Sequence, residues 1–149
     1  MLLDFRVTNF RSFSTEQSLS MVASSDSSLA ANYVKVGKFS VLKTAVIYGA
    51  NASGKSNLIR AIDVMRDIVV DSAEYKPGKK VPVTPFCLSQ MSKESPTEFE
   101  VSFVHEGVQY QYGFAATQEE VVGEWLHATP QVKPQTWFSR GGQGDLNPG

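Results

Sequence analysis

The sequence predicts an α/β fold that becomes α+β at its edges, and two patterns carry this prediction. An apolar, β-prone run from Ala45 to Tyr48 leads into a glycine-rich segment, and a helical pattern follows that segment. Further along the chain, apolar residues alternate with polar ones, which is typical of antiparallel strands. We therefore expect one strand–loop–helix unit and a mainly antiparallel β region in a chain of 149 residues, the size of one domain.

The elements before the glycine-rich segment are short strands and turns. Residues 3–8 alternate between apolar and polar and predict a half-buried strand. Residues 9–13 turn the chain, and a second strand is expected at 17–22. A polar loop follows at 24–28, and the segment 34–41 is ambiguous, with a short strand as one interpretation.

After the glycine-rich segment the pattern has the period of a helix, to about residue 72. Its expected buried face carries Leu58, Ile62, Met65 and Val69, and charged residues occupy another face. A turn-rich connection at 76–82 comes next.

The period then changes to two, which predicts a hairpin over residues 99–114 with a turn at Glu106-Gly107. Two further strands are expected at 124–128 and 136–140. The last residues, Gly141 to Gly149, are glycine-rich and polar and resemble a turn that is cut off before its returning strand. The β region is thus predicted to be antiparallel.

The bulk composition bounds the class of protein. With 42% hydrophobic and 19% charged residues and a net charge of −1, the chain has no global basic field that would indicate nucleic-acid binding. A single cysteine, Cys87, cannot form an internal disulfide, which favours a cytoplasmic location, and we expect it in the core. No signal peptide and no apolar run of membrane-spanning length is present, so no membrane partner is expected.

The segment Gly49-Ala50-Asn51-Ala52-Ser53-Gly54-Lys55-Ser56 fits the phosphate-binding pattern of a Gly, four free positions and Gly-Lys-Ser. Gly49 and Gly54 permit backbone angles and close approaches that a Cβ would block. The loop amides would form an anion nest at the positive end of the following helix. Lys55 is expected to reach the β- and γ-phosphates, and the Ser56 hydroxyl to hold Mg²⁺. A nucleotide with magnesium is therefore the implied ligand pair, with adenine and guanine left undistinguished.

The second acidic strand of a working NTPase, which holds the metal or orients water, is missing from the sequence. Ile68-Val69-Val70-Asp71 superficially fits such a strand but continues the helical pattern, so we interpret Asp71 as a helix end. No signature of the Leu-Ser-Gly-Gly type follows. The catalytic residues therefore stay unassigned, and His105 and His127 are expected to be surface histidines.

Several segments resemble one group of ATPases. Leu3 to Phe13, ending in Asn9-Phe10-Arg11-Ser12-Phe13, resembles the opening strand of RecF-, SMC- and OLD-type ATPases. The loop and its extension through Asn57 to Ile62 are similar to theirs, with Ala52 where many members have Gly. The chain also looks like the prokaryotic AAA family ATPases grouped with RloA-like and abortive-infection ATPases, in the segments Pro85-Phe86-Cys87-Leu88, Pro96-Thr97-Glu98-Phe99-Glu100-Val101, Tyr110-Gln111-Tyr112-Gly113-Phe114 and Glu124-Trp125-Leu126.

The resemblance implies an ABC-type P-loop NTPase head, of which residues 1–149 would be the N-terminal lobe, with an antiparallel β subdomain, the Walker A helix and no C-terminal lobe. It implies ATP and Mg²⁺ as cofactors, held by the loop and by Asn57, with Arg11 near the nucleotide phosphates. A glutamine that contacts the metal and the attacking water is also implied, and Gln90 and Gln118 remain open for this role. Such heads bind ATP between two protomers, so a homodimer or a partner ATPase head is expected.

Three functions remain open. The leading one is ATP binding as part of an ATPase that serves DNA transactions or phage defence, which leaves DNA as a candidate partner. In it, the isolated chain would hydrolyse ATP weakly or not at all. A non-catalytic, nucleotide-gated interaction module is the second, and a small-molecule P-loop kinase is the third, disfavoured by the position of the loop and the β-rich tail.

Overall fold

The computed structural model of the chain describes residues 1–25, 30–71, 78–131, 133–141 and 147–148. Within these residues the fold is rich in antiparallel strands and contains one long helix. The strands are β1 (Leu2–Thr8), β2 (Gln17–Ser20), β3 (Tyr33–Val36), β4 (Phe39–Leu42), β5 (Thr97–His105), β6 (Val108–Ala116), β7 (Val121–Thr129), β8 (Gln135–Gly141) and β9 (Asn147–Pro148). The helices are α1 (Lys55–Asp71) and α2 (Gln90–Glu94), with a 3₁₀ turn at Ala30–Asn32.

The described strands form a large antiparallel sheet and a separate hairpin. The order in the large sheet is β2-β1-β5-β6-β7-β8-β9, and every neighbouring pair is antiparallel. Strands β5 to β8 follow one another as a meander, whereas β1 joins the edge of β5 from the other end of the chain. The hairpin β3–β4 is linked to the rest by a bridge between Val22 and Val41. The predicted antiparallel region is therefore confirmed, and the mixed α/β class with it.

The predicted hairpin of residues 99–114 is confirmed in register. Strands β5 and β6 pair without a shift from Thr97↔Ala116 to His105↔Val108. The two turn residues, Glu106 (φ 48°) and Gly107 (φ 78°), both have positive φ, the geometry of the type I′ turn that matches the twist of paired strands. The strands expected near Gln17, at 124–128 and at 136–140 are present as β2, β7 and β8.

Helix α1 packs on one face of the large sheet and begins where the glycine-rich segment ends. Its buried residues are Ala61, Met65 and Ile68, which repeat at helical spacing. The predicted face is rotated slightly, because Ile68 is buried whereas Val69 remains 49% exposed. The apolar residues that bury this helix face come from the sheet and from the segment before α2: Phe5, Val7, Phe10, Val81, Val83, Phe99, Phe114 and Ala116.

The strand predicted for Ala45 to Tyr48 is wrong for this structure. Residues 44–50 have no regular secondary structure, and the side chains of Val46 and Tyr48 are 66% and 88% exposed. A strand needs a neighbour for its backbone N–H and C=O groups, and no described strand pairs with this segment. The run therefore has the composition of a strand without the pairing of one.

Other sequence expectations have mixed outcomes. The ambiguous segment 34–41 belongs to the hairpin β3–β4. The turn expected from residue 141 on lies mostly outside the described residues, and residues 147–148 form a short strand, β9, that pairs with β8. The expectation that Cys87 lies in the core is wrong: the chain leaves the core after Val83, residues 84–86 are half-buried, and Cys87 and Leu88 are exposed. The expected loop at 24–28 and connection at 76–82 lie partly outside the described residues. No helix in the described part of the chain is long and apolar enough to cross a membrane.

Candidate functional site

The glycine-rich loop lies at the surface, in front of the first turn of α1. Residues 49–53 are exposed, and the loop turns through left-handed conformations at Ala52 (φ 62°) and Gly54 (φ 93°). The carbonyl of Gly54 accepts hydrogen bonds from the amides of Asn57 (2.9 Å) and Leu58 (3.1 Å), which closes the first turn of the helix. Helix α1 begins at Lys55, so the loop is followed directly by the N-terminus of the helix.

Three successive amides at this helix N-terminus are available to a ligand. Among the described residues, no protein acceptor is bound by the backbone N–H groups of Gly54, Lys55 and Ser56. The first turn of α1 also carries no acidic residue that would neutralise its positive end. Free N–H groups at the start of a helix are the groups with which proteins commonly bind phosphates and other anions, and α1 is 17 residues long.

The side chain of Lys55 lies across the loop. Its Nζ donates to the carbonyl oxygens of Gly49 (2.7 Å) and Ala50 (2.6 Å) and lies 3.4 Å from Ser53 Oγ. These bonds hold the ammonium group against the loop that leads into the free amides of residues 54–56. Phosphate oxygens could replace the carbonyl oxygens as partners of Nζ, and such charge-assisted bonds are the stronger ones.

Ser56 is exposed in the first turn of α1, and its hydroxyl makes no hydrogen bond within the described residues. A free hydroxyl beside an anion site fits Mg²⁺, which takes few protein ligands and completes its shell with phosphate oxygens and water. The described residues contain no cluster of three or more His, Cys, Asp or Glu that could hold a metal by itself. A metal at Ser56 would therefore depend on the phosphates of a bound nucleotide.

The turn after β1 contacts the loop directly. Asn57 Nδ2 donates to Ser12 Oγ (2.8 Å), and a Cβ added to Gly54 would lie 2.6 Å from Cε1 of Phe13. Two features of position 54 therefore require glycine: its positive φ and the close approach of the Phe13 ring. Arg11 lies in the same turn with a positive φ of 51°, and its backbone N–H donates to the carbonyl of Thr84 (2.8 Å).

The structure therefore brings together the loop and the turn that carries Arg11. A contact between the Arg11 side chain and phosphate stays a prediction. The two glutamines left open make other contacts: Gln90 Nε2 donates to Glu94 Oε1 (2.6 Å), and Gln118 Nε2 to the carbonyl of Val83 (3.3 Å). Neither contact selects one of them for a role at the loop.

The segment Ile68-Val69-Val70-Asp71 is helical, as expected, since α1 runs through Asp71. It cannot serve as the acidic strand of an NTPase. Among the described residues, no recorded contact of the loop involves a carboxylate. The described loop has the free amides and the ammonium group that an anion site needs, and none of its hydrogen bonds in the described residues involves an acidic group that could orient water.

Sequence reasoning missed two residues that shape the site. Phe13 packs on Gly54, and Asn9, which is 4% exposed, fixes the turn between β1 and Phe13 through its side chain. The motif Asn9-Phe10-Arg11-Ser12-Phe13 resembles the opening strand of related ATPases, but nothing local in it indicates contact with a loop some forty positions away.

A family comparison agrees with this geometry. The family described as "AAA domain, putative AbiEii toxin, Type IV TA system" matches residues 45–148, more than half of the chain. The chain belongs to this family. AAA domains are P-loop NTPase domains, so the phosphate-binding interpretation of the loop and the family agree on a nucleotide-binding ATPase class. The match begins at the apolar run before the loop and leaves out β1 and its turn. No curated protein matches the chain.

A second polar cluster lies on the sheet, away from the loop. The Tyr112 hydroxyl donates to Glu124 Oε1 (2.7 Å), and Arg140 Nε donates to Glu124 Oε2 (2.6 Å). Burial, and then the hydrogen bond to the Glu124 carboxylate, raise the pKa of Tyr112 well above its ordinary value. The cluster links side chains of three neighbouring strands, β6, β7 and β8.

Proposed function

We propose that this chain binds ATP with Mg²⁺ through residues 49–57, as the N-terminal lobe of an ABC-type ATPase head. The observation that carries the proposal is the set of free amides at Gly54, Lys55 and Ser56, next to a loop whose carbonyl oxygens bind the ammonium group of Lys55. Backbone N–H groups and one lysine make the polyphosphate the recognised part of the nucleotide. Arg11 is proposed to add a second positive charge from the adjacent turn.

In this proposal each residue has a stated task. The amides bind and orient the phosphates, Lys55 binds the β- and γ-phosphates, and Ser56 places its hydroxyl where a metal bridging these phosphates would bind. Mg²⁺ would neutralise charge on the phosphates when it is bound with the nucleotide. Asn57, held by Ser12, keeps the helix start in place beside the loop.

The test is the variant Lys55→Ala in a nucleotide-binding assay with the purified chain. We expect Mg-ATP at 100 times its Kd to stabilise the wild type by about 2.7 kcal/mol in thermal unfolding, because only the folded state binds. Lys55→Ala should abolish this shift, and removal of magnesium with EDTA should weaken it. The matched control is Lys43→Ala, which also removes a lysine that donates to a backbone carbonyl, that of Ala31 (2.8 Å).

The control should keep the full shift, since Lys43 follows β4 and makes no recorded contact with the loop. Unchanged Mg-ATP binding by Lys55→Ala would refute the proposed site.

Hydrolysis is proposed to require a second ATPase head, either another copy or a partner. The reason is that hydrolysis needs a group that positions water. Among the described residues, no carboxylate makes a hydrogen bond with the loop. The chain alone should therefore hydrolyse ATP weakly. Rapid turnover that is independent of protein concentration would contradict this.

The same observation favours a second candidate function, a nucleotide-gated interaction module that binds ATP without turnover. Gel filtration with and without Mg-ATP, combined with a phosphate-release assay, separates the two. ATP-linked association with turnover supports the ATPase head, whereas association without turnover supports the module.

The biological setting is proposed from the family and the resemblance together. The family description names a type IV toxin–antitoxin system, and several segments resemble abortive-infection ATPases. We propose a cytoplasmic role in phage defence or DNA transactions, in which DNA is a candidate partner. Survival of phage challenge by cells with the wild-type gene, but not with Lys55→Ala, would support the first of these roles.

A further inference from the structure

We propose that the turn Asn9–Phe13 is a buttress that fixes the shape of the phosphate loop, so that Phe13 and Ser12 are positioning residues for nucleotide binding. The inference rests on the proposed function of the loop. It concerns residues that lie outside both the phosphate-binding pattern and the segment matched by the family.

The first support is the contact between Phe13 and Gly54. The ring is so close that a Cβ at Gly54 would lie 2.6 Å from Cε1 and 3.2 Å from Cζ. Gly54 contributes one of the three free amides, and its carbonyl closes the first turn of α1. A ring packed against this residue limits the rotation of the peptide groups that would face a phosphate.

The second support is the hydrogen bond from Asn57 Nδ2 to Ser12 Oγ (2.8 Å). It ties the first turn of α1 to the same turn that holds Phe13. The loop is therefore held on two sides of Gly54, by an apolar contact and by a polar one.

The third support is that the buttress itself is fixed from behind. The backbone of Phe10 and Phe13 is closed by two mutual hydrogen bonds of 2.9 and 2.8 Å, and Arg11 N–H donates to Thr84 (2.8 Å). The side chain of Asn9 bonds four backbone groups of segments 86 and 92–96. A turn held in this way can impose its shape on an exposed loop, whereas the exposed loop makes few contacts of its own.

The test compares Phe13→Ala with Phe103→Ala in the full chain. Phe103 is also partly buried, and its ring stacks on that of Tyr110 with the centroids 5.3 Å apart. It lies near the end of β5, about 20 Å along the strand from Thr97 at a rise of about 3.3 Å per residue. Both variants should lower the unfolding midpoint. Only Phe13→Ala should reduce Mg-ATP affinity, by roughly tenfold, the change that corresponds to releasing about one residue's backbone.

A second readout needs no nucleotide. Hydrogen exchange of the amides of Asn57 and Leu58, which donate to Gly54, should accelerate in Phe13→Ala and stay unchanged in Phe103→Ala. If Phe13→Ala does not fold, Ser12→Ala replaces it, since Ser12 is exposed. Loss of its single hydrogen bond to Asn57 should cost about two- to tenfold in Mg-ATP affinity.

The outcomes separate this inference from the proposed function. Wild-type affinity and wild-type amide exchange in both Phe13→Ala and Ser12→Ala, with binding lost in Lys55→Ala, would overturn the buttress and leave the ATP site standing. If Lys55→Ala binds as the wild type does, or the wild type binds no Mg-ATP, the proposed function is wrong. The exchange rates of Asn57 and Leu58 then decide the buttress alone.

Discussion

The side chain of Asn9 makes the sharpest stability prediction, through the variant Asn9→Asp. Its Nδ2 lies 2.7 Å from the carbonyl oxygen of Ser92, 2.9 Å from that of Ser95 and 3.1 Å from that of Pro96. Its Oδ1 accepts from the amide of Phe86 (3.0 Å). The substitution keeps size and shape, and aspartate, like asparagine, tolerates the positive φ of 54° at this position. It therefore isolates the hydrogen-bond donors.

The magnitude follows from what the donors do. The two N–H groups of the Asn9 side chain donate to three carbonyl oxygens, and Asn9 is only 4% exposed. Aspartate replaces this NH₂ group with an oxygen that can only accept. Each of these part-buried bonds contributes about 0.5–1.5 kcal/mol, and a buried group left without a partner costs about 1–3 kcal/mol. A carboxylate facing carbonyl oxygens adds repulsion, so we expect a loss of about 3–5 kcal/mol at neutral pH. This corresponds to a drop of roughly 10–15 °C in the unfolding midpoint for a chain of this size.

The assay is urea and thermal unfolding of Asn9→Asp against Asn32→Asp. Asn32 is exposed, and its side chain has no recorded partner in the described part of the chain, so the same chemical change there should cost less than about 0.5 kcal/mol. The loss in Asn9→Asp should shrink at acidic pH, where a protonated carboxyl can donate one hydrogen bond. A cost below about 1 kcal/mol at neutral pH would refute the reasoning, since one lost bond alone accounts for that much.

Two further predictions concern the sheet. Gly113→Ala should lower the free energy of unfolding by about 1–3 kcal/mol in urea, because its Cβ would lie 2.4 Å from the ring of Trp125 and 2.8 Å from the backbone oxygen of Phe99. The control is Gly123→Ala, whose Cβ would meet no atom closer than 3.7 Å and which should therefore be near neutral. Since the pKa of Tyr112 is raised in the fold, the unfolded chain loses that proton first, so the free energy of unfolding should fall as pH rises above about 10. Tyr112→Phe should show a smaller fall in that range, and an equal one would contradict the assignment.

Local patterns predicted most of the fold. Alternation over residues 99–114 predicted the hairpin because a two-residue turn fixes the register of both strands within the segment itself. The helical period predicted α1, and the Gly-Lys-Ser pattern predicted the loop at its start. In each case the residues that determine the element are neighbours in the chain.

The errors occur where the determining contact is distant in sequence. The run Ala45 to Tyr48 has strand composition, but strand formation depends on a neighbour that composition cannot supply. The apolar segment around Cys87 predicts a core position, but Cys87 is exposed. The neighbouring Phe86 is held by a hydrogen bond from its N–H to Asn9 Oδ1, 77 positions earlier in the sequence. The buttress under Gly54 was missed for the same reason, because Phe13 lies on a different element.

The order of strands in the large sheet has a consequence for how the chain reaches its native state. Pairing within the meander β5–β8 closes only short loops, so we expect it to form early. Pairing of β1 with β5 joins residues that are separated by most of the sequence, so we expect it to form later. The turn that contains Asn9, Ser12 and Phe13 directly follows β1, so it should reach its native position when β1 does. The chain should therefore acquire its affinity for nucleotide last, in the slow kinetic phase that docks the amino terminus, after most of its ellipticity has already appeared.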